Sequence, residues 1–208
     1  KQDNHLWTEG HYNVVCSNDR YDRCQIIMLS REITERKERE NKLMFMAYHD
    51  SLTNLPNRRY LNKEFPHLLE KAKARYESIA IVYLDGDNFK EVNDVYGHDV
   101  GDEFIRRFSK ALMKSVSLDD LVVRVGGDEF VLVLTNLSRN EELQLEQIQA
   151  FIERVRNKLH EGWYIDDHFF RPTCSMGIAF YPKHGEKLEK LVDLADQALC
   201  ESKTKQKN

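Results

Sequence analysis

Long hydrophobic runs are missing from this chain. No apolar stretch approaches the roughly 18 residues of a membrane-spanning helix, and no secretory leader is visible. A basic excess is missing too. The 31 Lys and Arg are outnumbered by 35 Asp and Glu, interspersed, for a net charge of −4. That excludes a sequence-independent nucleic-acid binder, which gathers positive charge against phosphates. Cysteine occurs only at 16, 24, 174 and 200, with neither CxxC nor CxxC…HxxxH spacing, so a zinc site has no support. We expect reduced thiols packed as small apolar groups in a cytosolic protein. A Cys16–Cys24 bridge across a hairpin is the other reading. There is no internal repeat and no low-complexity segment. The first residue is Lys1 rather than Met, so a fragment or a processed form is expected.

What is present is enough for one sizeable core plus a small appendage: 208 residues, 41% of them hydrophobic. "HYNVVCSN" and "RCQIIMLSREI" read as two strands around the turn "NDRYD". An isolated hairpin is marginal in water, so this one is expected to pack on something else. "TERKERENKLMFMAYHD", residues 34–50, reads as a helix that starts as a solvated connector and becomes buried near Leu43–Ala47. Ile33, Glu40 and Ala47 share a heptad position, and Glu40 spoils the seam.

Farther on, Asn57 is a plausible N-cap for a helix running toward Arg75, with Pro66 expected to kink or split it. "SIAIVYLDGD" is a strand ending in acids. A short helix follows, then a long amphipathic helix to about Val116. "DLVVRVGGDEFVLVLTN" is a hairpin bending at Gly126 and Gly127. Residues 139–161 are helical, "FFRPTCSMGIAFYP" contains a strand, and "LEKLVDLADQALCESK" is the last helix. The order predicts an α+β sandwich on a mainly antiparallel sheet, with helices on both faces.

Asp85 and Asp87 sit at i and i+2, on one face of a strand, where its apolar run stops. Alone, they read as strand-end acids solvated in a loop. The hairpin changes that reading. If its strands neighbour "IAIVYLDGD", Asp85, Asp128 and Glu129 converge on one edge. Three carboxylates cannot stay ionised together without a counter-charge. An oxygen-only set suits magnesium or manganese. Gly126 and Gly127 permit positive φ and let a phosphate approach the backbone. Asn93, Asp94, His98 and Asp102 would line one wall. An Asp accepting from two adjacent donors selects the N1–H and N2–H₂ edge of guanine, and Asn can donate and accept beside it. Lys90 would lie near the phosphates. His98, taken alone, reads as a loop or capping residue.

These stretches resemble the GGDEF family of diguanylate cyclases. "DSLTNLPNRR", "LDGDNFKEVNDVYGHDVGDEF", "RVGGDEF", "SMGIA" and "ADQALCESK" occur in the family's order, from about Tyr48 to Lys203. The resemblance implies a ferredoxin-like, nucleotidyl-cyclase-palm-like domain over residues 48–208. It implies a bacterial signalling enzyme that condenses two GTP into cyclic di-GMP and releases two pyrophosphates. Two domains would meet face to face in a transient homodimer, each holding one GTP. Carried over by position, Asp85, Asp128 and the Gly86 carbonyl hold magnesium, with Glu129 beside them as a further ligand. Asn93 and Asp102 recognise guanine, and His98 lies at the nucleotide. Lys90 stabilises phosphate charge, and Asp128 is the proposed proton acceptor. Lys203 and Lys207 match basic positions that reach the triphosphate.

There are departures. Gly86 replaces a branched apolar residue, Cys200 a Tyr, Gln206 a Gly, and Lys207 an Arg, so the tail is expected to grip phosphate less well. Ser117 stands where an RxxD product-inhibition site has its Arg, although Asp120 fits the second position. Residues 1–32 resemble the last strands of a PAS sensor, and 33–47 the linker helix after it. That implies an upstream sensor and a cytoplasmic location. A catalytically silent GTP-binding regulatory module is the alternative. A purely structural domain leaves Asp85, Asn93, Asp102, Asp128 and Glu129 unexplained together.

Overall fold

The computed structural model describes residues 6–16 and 24–206, without the side chains of residues 15, 16, 25, 205 and 206. The predicted "NDRYD" turn and Lys207 lie outside the described residues. The chain divides into two compact units, Lys1–Ala47 and Tyr48–Asn208.

In the first unit, β1 (Thr8–Cys16) and β2 (Cys24–Glu32) pair antiparallel, from Thr8 opposite Glu32 to Cys16 opposite Cys24. Cys24 is disulfide-bonded. That overturns the expectation of reduced thiols at this position; opposed ladder positions bring side chains to bonding range. Cys174 and Cys200 are free. Helix α1 (Thr34–Tyr48) follows, with Arg36 against Glu40 one turn on. The expected burial at its end does not occur: Leu43, Met44, Phe45 and Met46 are all exposed. Four consecutive residues step about 100° each around a helix, so no single packing face can take them all.

The second unit is built on a four-stranded antiparallel sheet in the order β4-β5-β3-β8. Helix α2 (Arg58–Arg75) opens it, and the Asn57 side chain accepts from Arg59 N at 2.9 Å and Tyr60 N at 3.1 Å. Pro66 lies inside α2 and does not split it. Both Pro66 and Asn62, whose carbonyl loses a partner, are exposed, so water can satisfy that carbonyl. Leu61, Phe65 and Ala72 meanwhile hold the opposite face against the sheet.

Strand β3 (Ser78–Gly86) occupies the centre, with Ile79–Val82 and Leu84 fully buried. After it come α3 (Phe89–Tyr96), α4 (His98–Ser115), β4 (Leu121–Gly126) and β5 (Glu129–Leu137). Then α5 (Glu141–His160), capped by Asn140, leads to a small hairpin of β6 (Trp163–Ile165) and β7 (His168–Phe170). Strand β8 (Cys174–Tyr181) and helix α6 (Leu188–Gln206) complete the unit.

Alternation along the strands sorts side chains into two cores. Val82, Leu84, Phe130 and Leu132 join Phe104, Phe108 and Phe151 from α4 and α5. Ile81, Val131 and Val133 join Phe65 of α2 and Leu191 of α6. The helices therefore cover both faces, as the apolar strand runs require. The β6–β7 hairpin escapes sequence reading because its strands are three residues each, shorter than a periodicity test can register.

Candidate active site

The β3–β5 ladder places Asp85 directly opposite Glu129, and Gly86 N donates to Asp128 O at 3.1 Å. A Cβ on Gly86 would meet the Asp128 Cβ at 3.5 Å. The three predicted acids are thus neighbours at one sheet edge. Burial pushes the Asp128 carboxyl above its ordinary range, and the charge of Asp85 adds to that. Burial does the same to Glu129, reinforced by Asp85, Asp128 and then Asp196. Asp196 sits on α6, and sequence reasoning missed it. Burial followed by the Glu129 charge also pushes the Tyr83 phenol up to about 12.

Lys203 supplies the charge that answers this field. Its Nζ pairs with Asp85 Oδ1. Burial works against its ammonium, but the Asp85 contact overrides it and raises the pKa above that of an ordinary lysine. The two residues are 118 positions apart, which explains why no spacing in the sequence announces the contact. Among the described residues, no three His, Cys, Asp or Glu side chains are gathered into a ready cation cage. The donor set nevertheless fits a divalent cation, because two of the three acids resist ionising beside the third.

The glycine turn between β4 and β5 is held from outside. Gly127 has φ +47, which a side chain would strain, whereas Gly126 has no such conformation. The expectation of positive φ thus holds at one glycine only. A Cβ at either position would meet open space, so the backbone there can be approached. Arg124 donates from Nε at 3.0 Å and Nη2 at 2.8 Å to the Gly127 carbonyl, and from Nη1 at 2.8 Å to Asp50. Asp50 also accepts from the Thr53 backbone at 2.9 Å and hydroxyl at 2.7 Å. Burial would raise the Asp50 pKa, but the Thr53 and Arg124 bonds outweigh it and hold the group below its ordinary value. Neither Arg124 nor Asp50 was singled out from sequence, since their partnership spans 74 residues.

Asp87 does not share the fate of Asp85. Its carboxylate accepts from the Thr173 hydroxyl at 2.7 Å and the Ser175 hydroxyl at 2.8 Å, and its N–H donates to the Thr173 carbonyl at 3.0 Å. It ties the end of β3 to the start of β8.

The predicted guanine wall is divided between two helices. Asn93 is half-buried on α3, and its Oδ1 lies where a Cβ on Gly101 would come within 1.9 Å. Only glycine lets α3 and α4 approach there. His98 and Asp102 are exposed, one turn apart on α4, and Lys90 and Asp94 are exposed on α3.

An antiparallel sheet ending in acids beside an open glycine turn offers carboxylates for a cation and bare backbone for a phosphate. Residues 47–208 match the family described as diguanylate cyclase, GGDEF domain, and the chain belongs to that family. It is 37% identical to the diguanylate cyclase DosC of Escherichia coli over 185 residues, 88% of this chain and 38% of the relative. It is 33% identical to the cyclic di-GMP phosphodiesterase PdeR of the same organism over 178 residues, 86% of this chain and 26% of the relative. The chain therefore spans about a quarter to two fifths of these relatives. A sensory box/GGDEF family protein from Caulobacter crescentus superimposes with TM-score 0.70 at 30% identity, covering 76% of this chain and 99% of that one. These likenesses support a cyclase and cyclic di-GMP signalling in general. No helix among the described residues is long and apolar enough to cross a membrane.

Proposed function

We propose that this chain is an active diguanylate cyclase that condenses two GTP into cyclic di-GMP and two pyrophosphates. The observation that carries this is the in-register meeting of Asp85 and Glu129 beside Asp128, with Lys203 as the counter-charge. A divalent cation, magnesium or manganese, would be held by Asp85, Asp128, Glu129 and the Gly86 carbonyl. Bound there, it would neutralise phosphate charge and acidify the attacking 3′-hydroxyl.

The chain's own groups position the reactants. Asn93 and Asp102 hold guanine, with His98 alongside. The open backbone of Gly126 and Gly127 receives the phosphates, because no Cβ blocks it. Lys90, Lys203 and Lys207 bring positive charge to the triphosphate. Lys203 does so by leaving Asp85 when a cation takes its place. Asp128 is assigned as the proton acceptor for the attacking hydroxyl, a role made easier if a cation acidifies that hydroxyl. The catalytic effect is positioning plus charge neutralisation.

Each domain holds one GTP, so two copies must face each other in a transient homodimer. An upstream PAS-like sensor, of which residues 1–32 are the end, would bring them together from the cytoplasm. In the related solved structures, the cyclase SiaD is held with its activator SiaC.

The alternative, a silent GTP-binding module, draws on the phosphodiesterase names among the relatives. Incubating the purified chain with GTP and magnesium at several protein concentrations decides between them. Chromatography should show cyclic di-GMP, at a rate rising faster than linearly with protein. GTP bound with no product at any concentration would overturn the cyclase reading.

A further inference from the structure

A second cavity lies away from the acids, at the β8 edge of the sheet. Its volume is about 500 Å³, within the usual range for small-molecule sites. The last two turns of α5 and the loop leading into β8 form its walls, with Arg156, His160 and Arg171 around it. Arg156 and Arg171 are exposed, and neither is among the ion pairs of the described residues. Arg171 only rests 5.8 Å over the Phe169 ring.

Asp87 is the one acid in this lining, held by the Thr173 and Ser175 hydroxyls; it sets a single negative charge against two guanidiniums, and Asn157 adds none. Cys174 supplies no charge either, since burial pushes its thiol up to about 12. Guanidiniums that outnumber the carboxylate beside them leave a net positive field, and an anion is favoured there. Arginine forks match a phosphate in particular.

A second hollow of about 310 Å³ adjoins it, sharing Asp87, Arg171, Pro172 and Thr173. Its wall is mixed: Val92, Val95 and Tyr96 of α3 lie with Phe104 and Phe170 as an apolar part, and Asn88 and Glu91 form a polar part. The Tyr96 and Phe170 rings stand edge to face with centroids 5.2 Å apart, so the wall is already assembled. Val95 is 71% exposed, a large apolar side chain left in water beside a groove.

We propose that these joined hollows bind a small aromatic phosphomonoester. Its phosphate sits between Arg156 and Arg171 with His160 beside it, and its ring lies along Tyr96 and Phe170. The site is separate from the nucleotide site, because its α3 residues, Val92, Val95 and Tyr96, are not those assigned to guanine. It is also wired to the catalytic edge. The loop that floors it is bound through Thr173 to Asp87, two residues from Asp85.

Phenyl phosphate is the probe, titrated into the full chain without GTP or divalent metal and followed by amide shift mapping. Saturable shifts are expected at residues 156–160 and 170–174. The Arg156→Ala, Arg171→Ala double variant should weaken binding at least about tenfold, since charge-assisted bonds contribute about 1.5–3 kcal/mol each. Lys203→Ala should leave these shifts unchanged, and inorganic phosphate should bind several-fold more weakly for want of a ring. Shifts confined to residues 98–102 and 126–129 would overturn the proposal. So would a double variant that binds like the parent, or inorganic phosphate binding as tightly as the ester. Every readout is of binding, so the outcome does not depend on whether the chain turns over GTP.

Discussion

The molecule contains two hairpins of β-branched and apolar residues, and they end up in opposite surroundings. In β4–β5, Val122, Val123 and Phe130–Val133 are buried to within 5%. In β1–β2, Tyr12, Ile26, Met28 and Leu29 are each at least 70% exposed. Both ladders are antiparallel and continuous over several pairs. The difference lies in their neighbours. The β5 strand has β3 beside it and helices over both faces, whereas β1–β2 is a two-stranded sheet by itself among the described residues. Hydrogen bonding thus makes a hairpin, but only added layers make it a core, and only a core can hold acids at a chosen spacing.

Breaking that comparison at the chemical end should have the largest effect. Asp128→Ala is expected to cut cyclic di-GMP formation at least about 1,000-fold, since it removes both a cation ligand and the proton acceptor. Circular dichroism should remain native. Full turnover in this variant would remove the basis for the acid-edge assignment.

Packing comes next. Phe130→Ala should cost about 3–5 kcal/mol in urea unfolding, whereas Ile27→Ala should change stability by under about 0.5 kcal/mol. Similar losses at both sites would mean that the first hairpin is covered after all.

The brace behind the turn comes third. Asp50→Asn keeps the Oδ1 acceptor but removes the charge that faces Arg124, and should cost about 1 kcal/mol at neutral pH. The Asp50 pKa is lower folded than unfolded, so its contribution is present above the ordinary carboxylate range. It fades as pH falls through the folded value. The gap between parent and variant should therefore close in acid, and a pH-independent gap would point to packing instead.

The smallest effects sharpen the substrate assignment. Lys203→Met should weaken GTP binding about tenfold and strengthen manganese binding measured without nucleotide, because the cation no longer competes with the ammonium. Unchanged manganese affinity would show that the Asp85 pair is broken at no cost. Asp102→Ala should raise KM several-fold and leave kcat nearly intact, as expected for a contact made equally before and during reaction.

Much of this was legible in the residues alone. Asn57 marks a helix start through local hydrogen bonds, and the Gly-Gly turn marks its own bend, because both depend on neighbours within four residues. The meeting of Asp85 with the hairpin acids followed from two buried-type strands ending in carboxylates. The alternation of buried side chains then placed helices on both faces.

The rest needed the chain to be folded. Lys203 reaches Asp85 across 118 residues and Arg124 reaches Asp50 across 74, and nothing in a local pattern encodes such pairs. Pro66 read as a break and sits within one helix, because the face it weakens is open to water while the other is clamped. Asp85 and Asp87 look alike on paper. Folding gave one of them a lysine and two repelling acids, and the other a pair of hydroxyls. Sequence by itself determined which elements form and which residue types stand at their ends, since those are short-range properties of backbone and periodicity. Tertiary structure alone decided which charges meet, because electrostatic partnership depends on distance in space rather than along the chain.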